Sequence, residues 1–286
     1  MKKVLLGFLS IGFFTTLNVQ AQSGNGLGVE FGFRGAAVSS WLFNTNVSNQ
    51  GNSQNYAAAF SYNYGVDFAF DFSSRCAIEA DVLVGTMTQA YSGKFQDDGL
   101  YYSEPQTSSA LGYSYINGES YTAKSVLNMV GIPILFRFGS GNGAYVEIGP
   151  EYDIVNGANY SANFTGQSAF SPASVNYDTK QQYAPSSIQG VLGFGDDFQI
   201  GNSGVNIITN LRFSYAFTDL KGTDGMGQSL NQNYNGGSNV LYTSYLGQPA
   251  YYSSYKPTHM ATASFNIGVY YFFGINGSQK NKPDGK

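Results

Sequence analysis

Twelve charged side chains fall at alternate positions of apolar runs, and their chemistry is the first thing to place. Glu79 and Asp81 stand two residues apart, as do Glu151 and Asp153, while Glu147 precedes Glu151 by four and Glu30 and Arg34 are separated by four. Carboxylates at such spacing could ion-pair with Arg34, Arg137 and Arg212, carry a cation or a proton, or act as a general acid and base. Nucleophilic chemistry has thinner material. His259 is the single histidine, and Ser253 and Ser254 lie close to it in sequence. A serine or acyl-transfer enzyme needs a histidine with a nearby nucleophile, and serine is common throughout these segments. Asp97-Asp98-Gly99 and Asp224-Gly225 lack the spaced oxygen ligands and terminal Glu of a calcium loop. Gly193-Phe194-Gly195 lacks the third glycine and following helix of a dinucleotide fingerprint. Cys76 is the only cysteine, which excludes an internal disulfide and a cysteine-based zinc site. No catalytic residue, cofactor or metal is expected.

The elements that carry these charges are strands. From Tyr56 to Phe72 every even position is apolar or aromatic, and every odd one is small or polar, with Asp67 and Asp71 among them. Side chains of a strand alternate between faces, so one face is greasy and the other wet. Eight such strands are predicted: Leu27 to Val38, Ala57 to Phe72, Cys76 to Ala90, Val126 to Phe138, Ala144 to Ile154, Ser187 to Ile200, Val205 to Phe217 and Ala261 to Phe273. Most exceed the usual length of about five or six residues and are long enough to cross a bilayer when tilted. Pro133 and Pro150 fall inside two of them. Proline removes a ladder donor, so a bulge is expected at each.

The links alternate strictly between short and long. Ser73 to Arg75, Gly139 to Gly143 and Gly201 to Gly204 are short. Ser39 to Tyr56, Tyr91 to Ser125, Val155 to Ser186 and Thr218 to Met260 are long. Transmembrane barrels have this layout, with short periplasmic turns and long extracellular loops. The expected fold is therefore all-β, an eight-stranded antiparallel transmembrane β-barrel. Charge supports the facing. On the apolar parity only Asp196 is charged, whereas Glu30, Arg34, Asp67, Asp71, Glu79, Asp81, Arg137, Glu147, Glu151, Asp153, Asp197 and Arg212 share the other. A soluble lipocalin-like barrel would reverse the two faces.

Composition agrees. Lys2 and Lys3, the apolar stretch Val4 to Leu17 and the site Val19-Gln20-Ala21 read as a signal peptide over 1–21, cut before Gln22. Residues 22–274 then form the barrel and 275–286 a polar C-terminal tail. Sparse charge beside 23 Tyr, 22 Phe and 36 Gly suits strands and turns and does not suit a helical enzyme. A net charge of -4 without a Lys/Arg cluster gives no footprint for nucleic acid.

Ser125 to Val155, SVLNMVGIPILFRFGSGNGAYVEIGPEYDIV, contains Ile132-Pro133 and Gly149-Pro150 on either side of a short turn. It resembles the central hairpin of the PorT-like outer-membrane β-barrel family. Asn210 to Tyr215 and Phe265 to Phe273 resemble that family's later strand with an Arg before aromatics and its closing aromatic strand. The chain departs from it in running on to Lys286. The resemblance implies the barrel fold and the cell outer membrane, and allows a role in a secretion machine.

Glu30, Arg34, Asp67, Glu79, Asp81, Arg137, Glu147 and Arg212 should meet inside a lumen only wide enough for side chains. They would form a polar plug or line a narrow ion path. Tyr101, Tyr102, Tyr113, Tyr115, Tyr245, Tyr251 and Tyr255, set among Asn, Ser and Gly, have the composition of adaptable recognition surfaces or would pack over the barrel mouth. The leading expectation is a structural or surface-binding outer-membrane protein, its partners being membrane lipid and a surface or envelope protein. The alternatives are a porin-like small-solute channel, a secretion component, and a lipid-acting enzyme with His259 as base.

Overall fold

The computed structural model describes residues 27–48, 54–73, 75–94, 120–139, 143–165, 174–200, 204–225, 229–230 and 255–274. Eight long strands follow the alternating pattern: β1 (Gly28–Phe43), β3 (Phe60–Ser73), β4 (Cys76–Lys94), β5 (Ser120–Gly139), β6 (Ala144–Thr165), β8 (Ser186–Gln199), β9 (Val205–Ala216) and β10 (His259–Gly274). Each pairs antiparallel with the next, and β10 returns to β1 from Gly28↔Gly274 to Phe43↔His259, which closes the ring. Closure leaves no edge in the bilayer, where an unpaired backbone group would cost several kcal/mol. Among the described residues no helix is long and apolar enough to cross a membrane; the strands do so. Glycines with positive φ, Gly143 at 98° and Gly204 at 75°, close the turns before β6 and β9.

The barrel is inside-out relative to a soluble one. Phe33, Phe68, Ile134, Phe213 and Ile267 are half or more exposed, while Glu79 is 1% exposed and Asp81 0%. This excludes the lipocalin-like facing, because only a hydrocarbon surround favours such an apolar belt.

Three features differ from the sequence expectation. First, the strands run higher on the extracellular side. β4 continues to Lys94, β5 starts at Ser120 and β6 reaches Thr165. Two short strands also lie within segments read as loops. β2 (Asn55–Ala57) pairs with β4, and β7 (Ser174–Asp178) pairs with β6. Together they form a wall above the membrane.

Second, neither proline makes a bulge. The β5–β6 register is the same on both sides, Pro133↔Glu151 and Phe136↔Ile148, and β6 pairs with β8 straight through Pro150↔Gly190. The missing donor is accommodated as a gap in the ladder, so side-chain parity is kept. The shift in that hairpin lies higher, where Asn128 faces Gly157 and Met129 faces Val155, which leaves Asn156 as the extra residue.

Third, hydropathy inverts along single strands. The lower outer face of β5 is Val130, Ile132, Ile134, Phe136 and Phe138; its upper outer face includes Thr122, Lys124 and Asn128. The inner face changes the other way, from Arg137 below to buried Leu127, Ala123 and Tyr121 above. The inversion marks where hydrocarbon gives way to water. Below it the outside must be apolar, and above it the hydrophobic effect moves apolar groups back inside.

Candidate functional site

Three arginines tie the lower lumen together. Arg34, on β1, donates from Nη2 to Glu79 Oε1 at 2.7 Å and from Nε to Asp67 Oδ2 at 3.1 Å; its Nη1 lies 3.3 Å from Asp81 Oδ2. Arg212, on β9, donates to Glu79 Oε1 at 2.5 Å, to Asp81 Oδ2 at 2.7 Å and to Glu147 Oε1 at 2.5 Å. Arg137, on β5, pairs with Glu30 and lies 3.3 Å from Asp71 and 3.5 Å from Glu79. In the ring order β9 and β4 stand diametrically opposite, yet Arg212 reaches two carboxylates of β4. The lumen is therefore spanned wall to wall by charge-assisted hydrogen bonds. Glu79 contacts all three guanidiniums and is the centre of the network. The three arginines lie on the inward parity of three different strands and their acids on β1, β3, β4 and β6, so closure of the sheet concentrates residues far apart in sequence.

Neutral groups complete the packing. Asn210 Nδ2 donates to Glu147 Oε1 at 3.1 Å and to Tyr145 Oη at 3.0 Å. Arg137 lies over the rings of Tyr145 and Tyr270, 5.6 and 5.9 Å from their centroids. Gly193 leaves room for the Glu147 side chain: a Cβ there would sit 2.3 Å from Glu147 Oε1. Above the arginines, a cavity of about 20 Å³ is lined by Asn63, Met129, Gly131, Glu151 and Asp153, among others. It has space for about one water molecule. Among the described residues no group of three or more His, Cys, Asp or Glu is arranged to hold a metal ion.

The upper lumen is filled by the chain itself. After β9 the segment 218–225 turns down into the mouth, with Leu220, Thr223 and Asp224 at most 1% exposed. Tyr91 Oη donates to Thr223 O at 3.1 Å, and Tyr160 Oη donates to Gly225 O at 2.9 Å. The Thr223 hydroxyl shares hydrogen bonds of 3.0 Å with Ser125 and with Tyr183. Gln54 holds the tip from the other side, donating to Asp224 and accepting from the Gly225 amide at 2.9 Å. Leu220 packs with Leu42, Leu127, Met129, Val155, Tyr183 and Met260. Removing one phenol tests this anchoring. Tyr160→Phe leaves the Gly225 carbonyl without that donor and is expected to cost about 1–3 kcal/mol. Faster amide exchange across residues 218–225 than across β9 would register it; uniform exchange would contradict the anchoring.

Residues 20–222 match the family described as outer membrane protein beta-barrel domain. The chain belongs to that family. The barrel accordingly resides in the outer membrane, with its apolar belt in lipid. Solved structures of similar fold include Neisserial surface protein A, at 10% identity over 85% of this chain and 97% of that one, with a TM-score of 0.33. Outer membrane protein OprG from Pseudomonas aeruginosa has 11% identity over 88% and 99%, with a TM-score of 0.38. Ail, the attachment invasion locus protein of Yersinia pestis, has 9% identity over 86% and 99%, with a TM-score of 0.30. No curated protein matches the chain.

Within the barrel, the eight inward charges named from the sequence, Glu30, Arg34, Asp67, Glu79, Asp81, Arg137, Glu147 and Arg212, stand in one contiguous network. Asp71, Tyr145 and Asn210 join it; all three lie on the inward parity and were open to the same reading. Of the tyrosines named for recognition, Tyr255 is half-buried just before β10. Tyr101, Tyr102, Tyr113, Tyr115, Tyr245 and Tyr251 lie outside the described residues, as do Ser253 and Ser254. His259 is the first residue of β10. Its ring stacks on Tyr215 at 5.6 Å, and Nδ1 lies 3.0 Å from the Ala216 carbonyl. That setting belongs to the aromatic girdle at the outer interface.

The mouth residues Gln54 and Thr223 were not singled out from sequence, and Asp224 was weighed only as part of an Asp-Gly pair that lacks calcium-loop spacing. The available signal was the phase inversion on β5. Inward Tyr121, Ala123 and Leu127 above the membrane need an apolar or hydroxyl-bearing cover, and only a loop can supply one.

Proposed function

We propose that this chain is a non-enzymatic, non-conducting outer-membrane barrel, with a structural or surface-binding role carried by its extracellular segments. One observation carries the sealed reading: Arg212 bridges opposite walls to Glu79, Asp81 and Glu147 beneath a mouth filled by Leu220 and residues 222–225. A solute would have to break several buried ion pairs to pass, each costly to open in a low-dielectric interior. Tyrosines among Asn, Ser and Gly supply contact area at low entropic cost and favour surface binding. Within the family we infer a PorT-like kinship from Ile132-Pro133 and Gly149-Pro150 on facing strands, which keeps a secretion-machinery role as the second reading.

Planar bilayers test the sealed reading. The reconstituted barrel is expected to show no discrete single-channel steps in 1 M salt. Reproducible steps from the parent chain would establish the small-solute channel instead.

A further inference from the structure

Among the described residues, positive charge is divided sharply by depth. Arg34, Arg137 and Arg212 lie in the lumen, and Arg75 sits at a periplasmic turn. The lysines Lys94, Lys124, Lys180, Lys221 and Lys256 all lie at the extracellular end. Two of them, Lys94 and Lys124, point outward from the wall formed by β4, β5, β6 and β7. Both are exposed, and neither has an ion-pair partner among the described residues.

The registers assemble the surrounding surface row by row. One row is Ala90↔Lys124↔Ser161↔Asn176, and the next is Ser92↔Thr122↔Asn163↔Ser174. Lys94 stands above, opposite Ser120. Strand spacing and pleat set these groups on a grid of about 5 by 7 Å. Hydroxyls and amides both donate and accept, which is what a sugar requires. The carboxylate on this face, Asp178, lies at its far edge opposite Asn159.

This face is not an isolated patch. It continues directly upward, on the same strands, from the apolar belt of Val84, Val130 and Ile154. A lipid whose acyl chains lie against that belt must therefore present its head group along this grid. We propose that the outward face of the β4–β7 wall binds the phosphorylated saccharide head group of the outer-leaflet glycolipid. Lys94 and Lys124 meet the phosphates, and the Ser, Thr and Asn rows meet the sugar hydroxyls. The proposal rests on the outer-membrane setting and is independent of whether the lumen conducts.

The full barrel, refolded in detergent, tests it against purified lipopolysaccharide, dephosphorylated lipopolysaccharide and phosphatidylglycerol vesicles. A lysine near an anionic surface contributes about fivefold to binding, so K94Q/K124Q is expected to bind lipopolysaccharide about 30-fold more weakly. The parent should lose affinity to a similar degree on the dephosphorylated form. A second variant, T122V/N163V, removes the polar row while keeping both lysines. It should weaken lipopolysaccharide binding about fivefold and leave phosphatidylglycerol binding unchanged. All these side chains are solvent-facing, and mobility on unheated gels checks that each variant is folded. Unchanged affinity in K94Q/K124Q would overturn the proposal. So would equal losses on lipopolysaccharide and phosphatidylglycerol in T122V/N163V, which would reduce the face to a general anionic-surface contact. Conductance, measured separately, addresses the sealed lumen and not this face.

Discussion

Arg212→Ala is expected to destabilise the barrel by about 3–5 kcal/mol, the usual consequence of leaving buried charges without their partner. Arg212 satisfies Glu79, Asp81 and Glu147 at once. Inward carboxylates outnumber the three guanidiniums, so the remaining arginines cannot cover the loss. Removing an acid acts differently. Glu151 has no arginine within ion-pair distance among the described residues, and Glu151→Gln is expected to stay within about 1 kcal/mol of the parent. Urea midpoints for the two variants, refolded into the same micelles and checked by unheated gel mobility, decide the matter. Equal midpoints would mean that the lumen is hydrated and that the arginines do not lock it.

Ile134→Arg is the second large effect, expected at about 2–4 kcal/mol because a guanidinium near mid-depth must be taken into hydrocarbon or drag water with it. Ile134 lies in the middle of the outward belt of β5 and is 53% exposed. Twelve residues earlier, on the same face of the same strand, Thr122→Arg is expected to change stability by about 0.5 kcal/mol or less. The contrast tests the depth at which the strand leaves the membrane. Similar penalties at both positions would place Thr122 in lipid and remove the inversion.

The inversion also explains what sequence reading reaches and where it stops. Between Val130 and Phe138 the period-two pattern is unbroken, so strand, facing and compartment follow directly. Above Asn128 the alternation persists but its sign reverses. A reading that assigns the apolar parity to lipid therefore loses the strand at Val126, although β5 continues to Ser120. On β6 the loss is compounded by the extra residue Asn156, which shifts parity just as the environment changes. The prolines show the opposite limit. A missing amide can be borne as a single gap when neighbouring pairs hold the register, and nothing local to Pro133 or Pro150 distinguishes that outcome from a bulge.

By itself the sequence determined the strand parity, the alternation of short and long links, and the twelve charges that share the inward face. Each follows from the two-residue repeat of a strand and from the cost of charge in hydrocarbon. Only the tertiary structure decided which carboxylate each arginine meets, that Arg212 crosses to the opposite wall, and that Leu220 and residues 222–225 fill the mouth. Those contacts depend on ring closure, stagger and the path of a long loop. They join residues from 33 to 171 positions apart, and no local pattern encodes such distances.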